Sequence, residues 1–341
     1  MMKNIIVFFI IAIILISGCT KQEKEIEHEK ELENIDEPSL ELNDSSSGLL
    51  KGVSLSPKSA EGDDFLDFFE KAEQTGNVVM WAGDWDGLSI DGGAPKVVTE
   101  LASTYDYIPL IEVTYYTQGE GELIRPLTAE TREAYKNNAV EFAKKYQPKY
   151  LGLGIEVNIM YEKSPDDFEE FVVFYNEVYD AVKEVSPNTK IFTVFQLEKM
   201  KGLSLWGTEE YDPDKAHWEL IDEFKSEIVA FSTYPGLVYN HPSEIPEDHY
   251  TEIKSYTKKP IAFTEIGWHA AASPEGWESS NAEQAEFIKT FFNLTEDLDM
   301  KIAVWSFLYD PDIIEPFNTM GLRRSDGTAR PSWDAWIEGG E

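Results

Sequence analysis

Two glutamates stand where apolar runs give way to loops. Glu265 follows Pro260, Ile261, Ala262, Phe263 and Thr264, and Glu156 follows the run from Tyr150 to Ile155. A carboxylate at such a place is costly to bury unless it is paired or used. Two of them brought to one cavity can divide a bond cleavage between them. One keeps a proton and gives it to a leaving oxygen; the other stays ionised and attacks an electron-poor carbon. Tyr234 closes a third run and Trp305 lies within a fourth. A phenol there can orient a carboxylate, and an indole face can stack on a flat apolar surface. Glu112 and Gln196, near two further run ends, and Asn158 are candidate partners for ligand hydroxyls. Trp81 and Trp268, with Trp85 and Trp206, are candidate stacking platforms.

Other chemistries find less support. The histidines His28, His217, His241, His249 and His269 form no His-x-x-x-His pair, so no metal site is expected. There is no Gly-x-Ser-x-Gly elbow, and Gly152-x-Gly154 lacks the third glycine of a dinucleotide loop. No cofactor is expected.

The elements that must position these residues alternate along the chain. Strand-like runs occur at Gly52–Ser56, Val78–Ala82, Tyr107–Val113, Tyr150–Val157, Lys190–Phe195, Ile228–Thr233, Ile261–Glu265 and Ile302–Phe307. Helical spacing of apolar residues falls over Asp63–Thr75, Thr128–Tyr146, Phe168–Glu184 and Asn281–Asp297. Ser164-Pro165-Asp166-Asp167 reads as a helix start, with proline at the first position and acids in the first turn. Strands alternating with helices imply a parallel sheet. Eight units in under 300 residues fit a single-domain α/β fold, a (β/α)8 TIM barrel over 49–341. In that fold strand C-termini carry the chemistry, and these are the ends at which Glu156, Tyr234 and Glu265 stand. An open doubly wound sheet is the alternative.

The N-terminal residues read differently. Met1-Met2-Lys3-Asn4 precedes an uncharged stretch from Ile5 to Ile16, too short for a comfortable membrane span, and then Ser17-Gly18-Cys19. This ending resembles the prokaryotic lipoprotein box, which implies removal of 1–18 and lipidation of Cys19. Residues 19–48, dense in Glu and Lys and then in Ser and Asn, are expected to be a disordered tether. A lipid-anchored monomer at the cell surface follows. Cys19 is the single cysteine, so a disulfide within the monomer is excluded. The net charge of −35 argues against nucleic acid and against acidic polysaccharides as partners. Aromatic residues make up 13% of the chain, a load that suits binding of sugar rings.

From about residue 50 to 337 the chain resembles the clan A glycoside hydrolases, retaining (β/α)8 enzymes that include cellulases and endo-β-1,4-galactanases. The resemblance rests on Glu156 at the end of strand four, Tyr234 after strand six, Glu265 at the end of strand seven and Trp305 on strand eight. The tail from Gly321 to Trp336, with its Asp326-Gly327 turn, Arg330-Pro331 pair and Trp-containing last helix, is similar as well. It implies Glu156 as acid/base, Glu265 as nucleophile, Tyr234 as the partner of Glu265, and Trp305 as the floor of a sugar subsite. Carboxyls in retaining enzymes stand about 5–5.5 Å apart. Two positions depart from the pattern. Ile155 stands where these enzymes usually have Asn, and no Arg lies near the end of strand two. The expected activity is a retaining glycoside hydrolase on a neutral β-linked poly- or oligosaccharide. The alternative is a non-catalytic carbohydrate-binding lipoprotein on the same barrel.

Overall fold

The structure is a computed structural model. It describes residues 48–117, 121–205, 212–271 and 277–340. Cys19, the leader and nearly all of the expected tether therefore lie outside the described residues, as does Trp206.

Eight parallel strands form the barrel: β1 Leu50–Ser54, β2 Val78–Asp84, β3 Ile108–Thr114, β4 Tyr150–Leu153, β5 in two pieces, β6 Val229–Thr233, β7 Ile261–Ile266 and β8 Met300–Trp305. The pieces of β5 are Lys190–Phe192, paired with β4, and Val194–Gln196, paired with β6. Because they are consecutive in the chain, the sheet closes through them. The other edge-free contact is β1 on β8, with Gly52 opposite Val304. The break falls at Thr193, whose hydroxyl bonds the Gly154 carbonyl at 3.0 Å. Each of the eight expected runs contains one of these strands in whole or in large part.

Both faces of the sheet are covered, which is why the strands read as nearly unbroken apolar runs. Leu50, Val78, Met80, Leu110, Tyr150, Phe192, Val194, Ala230, Ala262, Ile302 and Val304 fill the barrel. Alternate residues meet the helices: α1 Gly62–Ala72, α2 Ala94–Leu101, α3 Ala129–Tyr146, α4 Val157–Lys163, α5 Pro165–Val185, α6 Leu197–Met200, α7 Asn281–Thr295 and α8 Pro331–Glu338. On α5, Phe168, Phe171, Tyr175, Val178 and Val182 recur every three or four residues and are buried. Thr128 caps α3 by accepting from the Thr131 amide, and Ser280 caps α7 by accepting from the Glu283 amide.

The regular alternation lapses after β5 and β6. There the connections contain 3-10 turns, Trp218–Glu223 and Thr251–Ser255, along with the short α6. A small antiparallel hairpin, Tyr116–Thr117 with Glu122–Leu123, follows β3. Among the described residues no helix is long and apolar enough to cross a membrane.

Candidate active site

Glu156 sits just past β4 on a sharp corner. Gly154 has φ +113° and Glu156 itself has φ +56°. A side chain at Gly154 would press on Val157 and on the Thr193 hydroxyl, so the corner needs glycine. The left-handed backbone at Glu156 costs roughly 1–2 kcal/mol, and it persists because neighbours hold it. One holder is the Tyr116 hydroxyl, set between the carbonyls of Ile155 (2.6 Å) and Glu156. The corner turns the chain directly into α4 and leaves the carboxyl pointing across to β6. There Ser232 Oγ donates to Oε1 at 2.5 Å, while Oε2 has no hydrogen-bond partner.

Glu265 reaches the same place from β7. A register irregularity between Phe263 and Glu265 sets Glu265 opposite Ser232, the residue that holds Glu156. Two residues on, Tyr234 donates from its hydroxyl to Glu265 Oε2 at 2.7 Å. Ser306 Oγ, at the end of β8, lies 2.9 Å from that hydroxyl oxygen. The ring of Tyr234 crosses so close to Gly267 that a Cβ there would lie 2.6 Å from it. Strands β4, β6, β7 and β8 thus converge, with the stretch from Ser232 to Tyr234 serving both carboxyls.

Burial sets the electrostatics. Glu156 is 2% exposed and Glu265 3%. Loss of hydration pushes Glu156 up to about 8, helped by the charge of Glu265 and opposed by the Ser232 hydrogen bond. Loss of hydration also raises Glu265, to about 7, against the pull of the Tyr234 hydroxyl. Burial thus disfavours charge on both carboxyls, and the pair retains a proton well above the usual carboxylate range.

Of the other expected contacts, Glu112 is one on which the charges of both Glu265 and Glu156 act. It follows Leu110 on the inward face of β3, fully buried, and neither oxygen has a hydrogen-bond partner. Burial first, then the charge of Glu265, holds it well above the usual carboxylate range, with the Thr264 hydroxyl beside it as a weak counterweight. Asn158 and Gln196 are engaged elsewhere. Asn158 accepts from the Gln196 amide at 2.8 Å and donates to the Gln196 carbonyl at 3.0 Å, tying α4 to the end of β5. The Gln196 side chain caps α6 through the Lys199 amide and donates to Glu198 at 2.5 Å.

The tryptophans require correction. Trp305 is not a floor: Val304 faces the barrel axis, so Trp305 faces outward. It is 0% exposed, packs on Phe287 and Trp336, and donates to the Met320 carbonyl at 2.8 Å. Trp268, also 0% exposed, stacks on Phe287 of α7 at 5.0 Å. Trp81 follows the inward Met80 and therefore leans outward over Gly83 and Gly87. Trp85 is buried against Tyr115 and Tyr135. In each case the two-residue period of a strand, or the shell beyond it, takes the ring away from the carboxyls. At the end of β2, Asp84 is paired with Arg125, whose Nη1 lies 2.9 Å from both its oxygens. Ile155 is buried.

Sequence reasoning missed Ser232, Tyr116, Ser306 and Glu198. The first three are hydroxyls that read as ordinary strand and loop residues. Glu198 carried a faint signal, a carboxylate two residues past a strand end, but α6 was not foreseen.

Fold and site together define a class: a TIM barrel with a carboxyl pair across its C-terminal mouth, of the architecture found in glycoside hydrolases. Solved structures similar to the chain include an exo-β-1,4-mannosidase from Opitutaceae bacterium strain TAV5 (TM-score 0.59, 12% identity, covering 84% of this chain and 58% of that one). Another is a family 39 glycoside hydrolase from Bacteroides cellulosilyticus WH2 (0.58, 17%, 84% and 62%). A third is a family 5 enzyme variant from Streptomyces cattleya in complex with Manβ1-4GlcNAc (0.59, 14%, 86% and 80%). The chain thus spans less than two thirds of the length of the first two. At these identities the likeness speaks to the fold. In sequence, the chain matches no family model and no curated protein.

Proposed function

We propose that the protein is a retaining glycoside hydrolase acting on a neutral β-linked poly- or oligosaccharide. One observation carries this reading: Glu156 and Glu265 meet around a single stretch of β6, each on its own hydroxyl donor, where burial raises both carboxyls so that one can carry a proton while the other ionises. A glycosidic oxygen is a poor leaving group and needs that proton. Glu265, ionised and oriented by Tyr234, attacks the anomeric carbon from the opposite face and forms a glycosyl ester. Glu156, now a base, draws a proton from water, and the hydroxide equivalent displaces Glu265 with net retention. Glu112 is the remaining candidate for a hydroxyl contact, since Asn158 and Gln196 are bonded to the protein. Lipidation of Cys19 would hold the enzyme as a monomer on the outer face of a membrane.

A panel of 2-deoxy-2-fluoro β-glycosides tests the chemistry. Intact-mass and peptide mapping should find the sugar on Glu265 with at least one member of the panel. Labelling at another residue removes Glu265 as nucleophile. A second reading, a carbohydrate-binding protein without turnover, is favoured by Ile155 in place of the usual Asn and by the engagement of Asn158. Sugar binding without label or turnover across the panel would decide for it. Mass spectrometry of the mature N-terminus tests the anchor, with a diacylated or triacylated Cys19 expected.

A further inference from the structure

Behind the β6 end lies a carboxylate that the mechanism above does not use. Glu198, on α6, is fully buried, yet it collects donors. The Thr233 hydroxyl reaches Oε1 at 2.7 Å; the Tyr234 amide reaches Oε2 at 3.3 Å; and Gln196 Nε2 reaches Oε2 at 2.5 Å. His249 Nε2, also fully buried, faces Oε1 at 3.4 Å. A carboxylate buried with three donors is held as the anion, because each donor replaces a lost water. Burial raises the Glu198 carboxyl, but His249 and the Thr233 hydroxyl outweigh it and leave it below the usual range. Two of its three donors belong to consecutive residues, Thr233 ending β6 and Tyr234 just past it, and the Tyr234 hydroxyl holds Glu265.

We propose that Glu198 is a positioning residue for the reaction: an anion behind β6 that fixes Thr233 and Tyr234 and thereby sets the Tyr234 hydroxyl on Glu265. Its support comes from α6 and the loop beyond. Lys201 donates to the His249 carbonyl at 2.8 Å and pairs with Glu252 at 2.5 Å, so the loop bearing His249 is tied down. Tyr250 completes the wall, its hydroxyl 3.4 Å from that of Thr233. The charged and titratable groups facing this cluster are therefore His249, Lys201, Glu252 and Tyr250, with Glu156 and Lys199 on the side of the mouth. Burial lowers His249 from its ordinary range, against the opposing pull of Glu198.

The arrangement has a fingerprint that loss of stability alone would not produce. The charge of Glu198 acts directly on Glu156 and raises it, whereas Glu265 is shaped by burial and by the Tyr234 hydroxyl. In Glu198→Gln the amide presents hydrogens to donors that need an acceptor, so the β6 end shifts. The Tyr234 bond to Glu265 then weakens while the charge beside Glu156 is gone. The two carboxyls should move in opposite directions.

The inference takes its catalytic meaning from the glycosidase reading, but its measurement needs no sugar. Side-chain carboxyl 13C resonances of the full chain, assigned with Glu156→Gln and Glu265→Gln, are followed through a pH titration in wild type and in Glu198→Gln. The expected result is a rise of the Glu265 midpoint and a fall of the Glu156 midpoint, each by about half a unit to one unit. Tyr234→Phe should raise Glu265 similarly, and adding Glu198→Gln to it should raise Glu265 no further. Midpoints that stay put, or that move together, overturn the proposal. If Glu198→Gln does not fold, Glu198→Asp serves: it keeps the charge and shortens the reach, so Glu265 should rise with Glu156 unmoved, and an unmoved Glu265 overturns the proposal. Failure of the fluoroglycoside labelling with the opposite shifts intact would count against the glycosidase reading alone.

Discussion

The ends of β4 and β7 place the same residue type in two different settings. Glu156 stands on a left-handed corner, held by one serine hydroxyl, with one oxygen unpartnered. Glu265 stands in extended strand, held by a phenol that is itself steadied by Ser306. Both are equally buried, so hydration loss alone would raise both alike. The difference comes from the hydrogen-bond donor and from who feels whose charge. Burial makes a carboxyl hard to ionise, and the hydroxyl donor that each one has opposes that effect.

That contrast can be broken from several sides. The largest effect is expected for Glu265→Gln, which removes the nucleophile: covalent labelling should vanish and turnover should fall by a factor of about 10³ or more, with the melting curve retained. Turnover left intact would eliminate the assignment. Glu156→Ala should slow poor leaving groups by a factor of about 10² to 10⁴, spare activated aryl glycosides in the first step, and recover partly with azide. An equal loss for every leaving group would argue against the acid role.

Trp305→Ala sharpens the distinction between mouth and shell. It should cost about 3–5 kcal/mol in a urea titration, as a large side chain lost from a packed core, while sugar affinity of the folded fraction is unchanged. A pure loss of sugar affinity would return Trp305 to the mouth. The smallest effect concerns stability and pH. Glu156 holds its proton more tightly folded than unfolded, so its contribution to stability is greatest at low pH and declines as pH rises from about 4.5 toward 8. Glu156→Gln should therefore raise the melting temperature at pH 9 and alter it little at pH 4. A gain that is larger at pH 4 would reverse the sign and the assignment.

Much of this architecture was legible in the chain. Eight apolar runs, helical spacing such as that over Thr128–Tyr146 and helix starts such as Ser164-Pro165 are local signals. Burial on both faces of a parallel sheet writes itself as unbroken Val, Ile and Leu. Glu156, Glu265 and Tyr234 were visible for the same reason: a polar group ending an apolar run stands out. Trp305 misled because a strand end specifies two faces, and one residue decides which face a ring takes. Asn158 and Gln196 misled because amides near a strand end serve backbone as readily as ligand.

The chain by itself determined the barrel, the order of its strands and the pair of carboxyls at their C-terminal ends, because hydrophobic period and strand-end polarity are local properties. The tertiary structure decided which hydroxyl holds each carboxyl, which aromatic rings face the core, and that Glu198 stands behind Tyr234. Those depend on contacts between residues far apart in the chain, such as Tyr234 with Glu265 and Ser232 with Glu156. No local pattern encodes a donor arriving from another strand.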